Sequence, residues 1–157
     1  MIVYRITGKK HAFDLTGTGA AMTGGRWNKK GSPVLYTGAN KEIALLEIIV
    51  HTPQMLIPDL DILTFEIPDN SITEITINQL PKNWSHYPAP TILSEIAEKW
   101  IKGSKSIALK VPSCIIHSTY NYILNCRHPK YSDVKLIDHK IFYFDSRLTE
   151  STLANKS

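Results

Sequence analysis

The segment Lys41–His51 reads KEIALLEIIVH, and it constrains the fold more than any other stretch. Asn40 before it is a good N-cap, and the spacing predicts a helix over 41–51. Ile43, Ala44, Leu45, Leu46, Ile48, Ile49 and Val50 make this helix apolar almost all round, which predicts burial. Its one central carboxylate, Glu47, cannot sit unpaired in such a setting. Arg26 is the nearest cation upstream, and His51 lies one helical turn on. Either would make Glu47 a structural plug. A ligand is the third way to satisfy it, since active sites and structural pairs perturb carboxylates alike.

The residues before the helix favour a ligand. Gly24-Gly25 allows a tight turn just ahead of Arg26. Trp27 and Asn28 follow, then a second turn at Gly31-Ser32-Pro33. Val34, Leu35 and Tyr36 read as a short strand bounded by turn residues. Turn, strand and helix thus gather a cation, aromatic rings, an amide and a carboxylate. That set suits a ligand with phosphate, a flat ring and a sugar.

Bulk properties narrow the class. With 157 residues, 43% of them hydrophobic, the chain suits a single domain with a proper core. No apolar run reaches the roughly 18 residues of a membrane span. The start, MIVYRITGKK, lacks the pattern of a signal peptide, so the expected location is cytoplasmic. Cys114 and Cys126 form no CxxC and are expected as free thiols, with no metal site. His51, His117, His128 and His139 also lack metal-ligand spacing. The net charge of +4 is scattered, with only Lys9-Lys10 and Lys29-Lys30 as short clusters. That argues against nucleic-acid binding and for an anionic ligand or acidic partner.

Taken in order, residues 2–6 read as an opening strand that could point Arg5 into a cleft. Residues 7–25 form a long connection without periodicity, and such connections tend to be functional. Gly17-Thr18-Gly19 continues to Met22, so GxGxxG fails, and no P-loop is present. After breaks at Pro53 and Pro58, residues 62–67 and 72–77 are strand candidates around a turn at 68–71. Residues 81–90 form a loop with Trp84, His86 and Tyr87, either a lid or padding for the core edge. Residues 91–102 have helical spacing, with Gly103 as the stop. Residues 106–111 alternate as a strand, and Ser113 follows Pro112 at the break. With no Gly-x-Ser-x-Gly elbow, Ser113 is no hydrolase nucleophile. Residues 121–125 form another apolar run. The last strands are expected at 134–137 and 141–145, joined at Asp138-His139-Lys140, with a polar tail over 146–157.

Several of these motifs together resemble the RES domain family: Arg26 in GGRWN, Glu47 in ALLEIIVH and Ser113 in VPS. Arg5 in VYRI, the loop Gly17-Thr18-Gly19-Ala20, Tyr36 in VLYTG, and Asn121 and Asn125 in NYILN also match. RES domains are toxins of bacterial type II toxin–antitoxin pairs, encoded with an Xre-like antitoxin. The resemblance implies an α+β fold: a split, mostly antiparallel sheet with a few helices, similar to the ADP-ribosyltransferase core. It implies one domain over 1–145. It also implies NAD as a substrate that is consumed, without a metal, by cleavage of the nicotinamide–ribose bond. On this footing Glu47, Arg26 and Tyr36 are the expected catalytic residues. Arg5, Arg26, Asn28, Tyr36, Ser113 and Asn125 are the expected substrate-binding residues. The expected partner is a cognate Xre-like antitoxin covering the active site, and a homodimer is open.

In arginine-modifying ADP-ribosyltransferases a second carboxylate precedes the catalytic Glu by two residues. Here that position is Leu45, which favours breakdown of NAD over modification of a protein. The alternatives are a protein-modifying ADP-ribosyltransferase and, from the basic charge alone, a nucleic-acid-binding or RNA-cleaving toxin.

Overall fold

The computed structural model describes residues 1–53 and 59–150. Pro58 and the tail beyond residue 150 lie outside the described residues. The β-rich segments form strands β1 (Ile2–Gly8), β2 (Val34–Gly38), β3 (Leu60–Glu66), β4 (Ile72–Glu74), β5 (Ala108–Pro112), β6 (Tyr120–Asn125) and β7 (Lys135–Phe142). Helices α1 (Thr18–Thr23), α2 (Lys41–His51), α3 (Thr91–Gly103) and α4 (Arg147–Glu150) are interspersed. The strands make one sheet in the order β4-β5-β6-β2-β1-β3-β7. Every neighbouring pair is antiparallel except β4 with β5. The fold is the expected α+β class.

The sheet is split at its centre. β1 follows β3 along its whole length, and β2 follows β6 likewise. β1 and β2, however, meet at a single register pair, Tyr4 with Gly38. Two half-sheets therefore hinge on one contact, and a cleft opens where the strands diverge.

Alternation along the strands sends side chains to opposite faces. Val34 joins a core with Leu109, Val111 and Ile123, closed by Leu93, Ala97 and Ile101 of α3. The next residue, Leu35, joins Val3, Leu63, Phe65, Tyr122 and Leu124 in a second core. A third, smaller cluster packs Ala44 of α2 on Ile6 and Leu60.

Five expectations are corrected. First, α2 is less buried than its composition predicts: only Ile43 and Ala44 are buried, and Val50 is 57% exposed. One face rests on β1 and β2, and the rest is half-covered. Second, β7 is one continuous edge strand, not two. Asp138, His139 and Lys140 pair in register with Thr64, Leu63 and Ile62. With a free outer edge, polar side chains stay solvated without breaking the ladder. Third, the long first connection contains α1 and a 3₁₀ turn at Lys9–His11. Gly17 starts α1 at φ 74°, and a Cβ there would lie 2.7 Å from the Val34 amide nitrogen. Only glycine suits that site. Fourth, β4 ends at Glu74, because Thr76 and Gln79 cap a 3₁₀ turn over Ile77–Gln79. Fifth, at the end of α3 the left-handed residue is Ser104 (φ 45°), one beyond the expected Gly103.

Candidate active site

The cleft between β1 and β2 has a volume of about 540 Å³, the size of a small-molecule site. Its lining includes Arg5, Arg26, Tyr36, Glu47, Cys114 and Asn121. The sequence separates these residues by more than a hundred positions. The sheet order brings them together.

Glu47 projects from α2, whose start is fixed by Asn40: the Asn40 Oδ1 accepts from the Ile43 amide at 2.8 Å. The Glu47 Oε1 accepts a hydrogen bond from Asn121 Nδ2 at 2.7 Å. Its Oε2 lies 3.3 Å from Nε2 of His51, one turn along the helix. Of the two structural partners that the sequence offers, His51 is the one in contact, and the pairing with Arg26 is not made. Arg26 Nη1 donates to the carbonyl of Trp84 at 2.6 Å and Nη2 to that of His86 at 3.0 Å. Arg26 thus ties the 81–90 loop to the cleft. Trp84 is buried, and the His117 ring packs against it at a tilt of 50°, with ring centroids 4.9 Å apart.

The turn that presents Arg26 is built on Asn28. Gly25 and Asn28 bond each other through the backbone. The Asn28 amide donates to the carbonyls of Ala20, Lys29 and Ser32 at 2.8, 3.2 and 3.1 Å. Its Oδ1 accepts from the Tyr36 hydroxyl at 2.7 Å, and that hydroxyl accepts from the Trp27 amide at 3.1 Å. A Cβ on Gly25 would stand 2.7 Å from the Tyr36 hydroxyl oxygen, so glycine is needed for this close approach. Burial pushes the Tyr36 phenol well above its ordinary range, keeping it neutral.

Arg5 reaches the cleft from β1 and donates to the carbonyl of Asp14 at 3.2 Å. Burial pulls its guanidinium downward, and the Asp14 carboxylate opposes that shift. The Asp14 side chain is itself held by the backbone and hydroxyl of Thr16. Burial raises the Cys114 thiol, although Arg26 close by pulls the other way.

The structure therefore brings Arg5, Arg26, Tyr36 and Glu47 to one cleft and leaves Asn28, Ser113 and Asn125 behind it. The buried Ser113 hydroxyl accepts from the amides of Ile115 and Ile116 at 3.1 and 3.3 Å, fixing a turn. Asn125 donates to the Ile101 carbonyl at 3.2 Å and accepts from the Arg127 amide at 3.0 Å. Ser113 and Asn125 spend their side-chain hydrogen bonds on backbone, and Asn28 spends its own on backbone carbonyls and the Tyr36 hydroxyl. Asn121, His51 and Cys114 enter the cleft without having been singled out as site residues. His51 was signalled locally by its i+4 spacing to Glu47. Asn121 reaches Glu47 only through the β2–β6 register that sets it opposite Gly38, which no local pattern reveals. Among the described residues no group of three or more His, Cys, Asp or Glu is gathered as a metal site would need. Also among them, no helix is long and apolar enough to cross a membrane.

A carboxylate facing guanidinium groups across a cleft of this size can do two things. The cations can bind an anion bidentately, and the carboxylate can stabilise positive charge developing nearby. The chain is similar to several known toxins. The chain is 37% identical over 157 residues to "Toxin Res" of Photorhabdus laumondii, covering 96% of this chain and 99% of that one. It is 29% identical over 141 residues to the "Prs ADP-ribosylating toxin" of a Sphingobium species, covering 87% and 88%. In fold it is similar to the M. tuberculosis MbcT–MbcA toxin–antitoxin complex structure, with a TM-score of 0.75 at 18% identity, over 98% of this chain and 88% of that one. The RES domain model matches residues 2–145, and the chain belongs to the RES domain family.

Proposed function

We propose that this chain is the toxin of a toxin–antitoxin pair and that it consumes NAD by cleaving the nicotinamide–ribose bond. The observation that carries the reading is the convergence of Glu47, Arg5, Arg26 and Tyr36 on one cleft. Cleavage of that bond passes through an oxocarbenium-like sugar, as in glycoside hydrolysis. Glu47 would hold the ribose hydroxyls and stabilise that cation. Arg5 and Arg26 would bind the phosphates. Two of the five Arg26 N–H groups go to loop carbonyls, and others are left to take an anion. Tyr36, neutral and fixed at its hydroxyl, would pack on nicotinamide or its ribose. Asn28 would support this group through Tyr36. Ser113 and Asn125 would support it by fixing the backbone on either side of β6.

The acceptor is water or phosphate. Leu45, two residues ahead of Glu47, packs into the apolar cluster under α2, so no second carboxylate is available there to activate a protein acceptor. A second reading, transfer of ADP-ribose to a protein, is favoured by the name of the Sphingobium relative. The solved toxin–antitoxin complex of similar fold supports a cognate antitoxin, which in this scheme covers the cleft. We take it to be Xre-like, with both proteins in the cytoplasm and residues 1–145 acting as one domain. A homodimer remains compatible with this scheme. Incubating the purified protein with labelled NAD separates the readings. Free nicotinamide with ADP-ribose or its phosphorylated form supports breakdown. Label fixed on protein supports transfer. Intact NAD alongside fragmented RNA would overturn both.

A further inference from the structure

Asn121 is the second residue of β6, in register with Gly38 of β2 and Val111 of β5. Its amide has a donor end and an acceptor end, and the fold satisfies only one of them. Nδ2 donates to Glu47 Oε1 at 2.7 Å. Oδ1 is buried and has no hydrogen-bond partner among the described residues. Burying an unpaired carbonyl oxygen works against stability, and native proteins rarely do it without a reason. Rotating the amide by half a turn would not help, because it would press Oδ1 against the carboxylate, acceptor to acceptor. The charge on Glu47 therefore dictates the orientation of Asn121, and the orphaned oxygen is the consequence.

The two Glu47 oxygens are held unequally. Oε1 is bonded at 2.7 Å to a residue fixed in the middle of the sheet. Among the described residues, Oε2 has only His51, at 3.3 Å, on a side chain that is 65% exposed and close to the end of α2. The first contact is rigid and the second can be displaced.

We infer that Asn121 is a positioning residue that clamps Glu47 through Oε1 and leaves Oε2 as the edge offered to the substrate, with His51 moving aside. This rests on the role proposed above for Glu47. Asn121 itself need not touch the substrate. It acts by removing the rotational freedom of the carboxylate before the reaction begins, which places its effect on turnover more than on substrate binding.

The test compares the parent protein with Asn121→Asp and Asn121→Ser, each with a melting curve and steady-state NAD kinetics below its melting temperature. Asp keeps the shape of Asn but replaces the donor with a second carboxylate beside Glu47. Ser is too short to reach Glu47 but adds no repulsion. The expected order of kcat is parent, then Ser, then Asp, with Asp about 10²-fold down and KM within about twofold of the parent. A packing role predicts the reverse order, because Asp is the closer match in shape and Ser leaves a void. Folded variants with kcat near the parent value would overturn the inference, as would Asp outperforming Ser. If only the Ser variant folds, an unchanged kcat in that variant alone overturns it. A parent protein that leaves NAD intact would sink the proposed function and this inference together. That outcome is distinct from an active parent with unaffected variants.

Discussion

At the scale of single residues, the site depends on which group satisfies which. Arg26 and Glu47, the two charges that local reasoning would pair, are each satisfied elsewhere. Arg26 bridges two carbonyls with a planar fork, which an ammonium cannot reproduce. Arg26→Lys should therefore loosen the 81–90 loop and weaken NAD binding together. Limited proteolysis in that loop and an NAD titration on the same preparation check this, and an unchanged cleavage rate would show that the bridge is idle. Gly25→Ala should destabilise the fold by about 1–3 kcal/mol, as overpacking does elsewhere. The reason is that its Cβ meets a Tyr36 hydroxyl fixed on both sides by Asn28 and Trp27. Thermal melting of Gly25→Ala beside Gly25→Ala/Tyr36→Phe separates the causes. Removing the hydroxyl should recover part of the loss.

At the scale of elements, local signals fixed some boundaries well. α2 begins where Asn40 can cap it and ends at His51, as its spacing predicts. Asn40→Ala should cost about 1 kcal/mol in a denaturant titration. A loss near zero would mean that packing on β1 and β2 alone holds the first turn. What local pattern could not supply was the extent of burial. A helix apolar all round reads as buried, yet α2 meets the sheet on one face and leaves Val50 exposed. Nor could it show that Asp138-His139-Lys140 continues a strand. A polar triplet reads as a turn unless the strand is known to lie at an edge, and that is a property of the whole sheet. The 81–90 loop was legible as a loop. Its anchorage by Arg26 was not, because the partners are backbone carbonyls, which have no sequence signature.

At the scale of the molecule, the cleft exists because β1 and β2 share one register pair and then part. The same architecture buries titratable groups near it. Burial raises the Tyr36 phenol, and it pushes the Cys126 thiol up to about 11. Both groups are held neutral in the fold, and both ionise more readily once unfolded. Their contribution is therefore complete at neutral pH, shrinks once pH passes the ordinary thiol range, and is lost as it rises through the folded-state values. Urea midpoints should fall from neutral pH towards pH 11, and Cys126→Ala should flatten the earlier part of that fall. A flat profile in the parent would contradict the burial of both groups. Of the expected site residues, Glu47, Arg26 and Tyr36 stood out as a carboxylate, a cation and an aromatic ring gathered around one apolar helix, whereas Arg5 was reached through the family resemblance. Asn121 was named only through its match to the family's NYILN motif; its contact with Glu47, 74 positions away in sequence, has no local signal.

The central claim is that Glu47 serves the reaction and not the fold. Glu47→Gln removes the charge and preserves the shape, and the Asn121 amide can still donate to the side-chain oxygen of Gln. Because Arg26 does not pair with Glu47, the substitution strands no buried cation. The deciding measurement is a melting curve, an NAD-binding titration and a turnover assay on one preparation of Glu47→Gln. The account predicts a melting temperature and NAD affinity near those of the parent, with turnover down by about 10²–10³-fold. A folded, NAD-binding Glu47→Gln protein that cleaves NAD at the parent rate would contradict it.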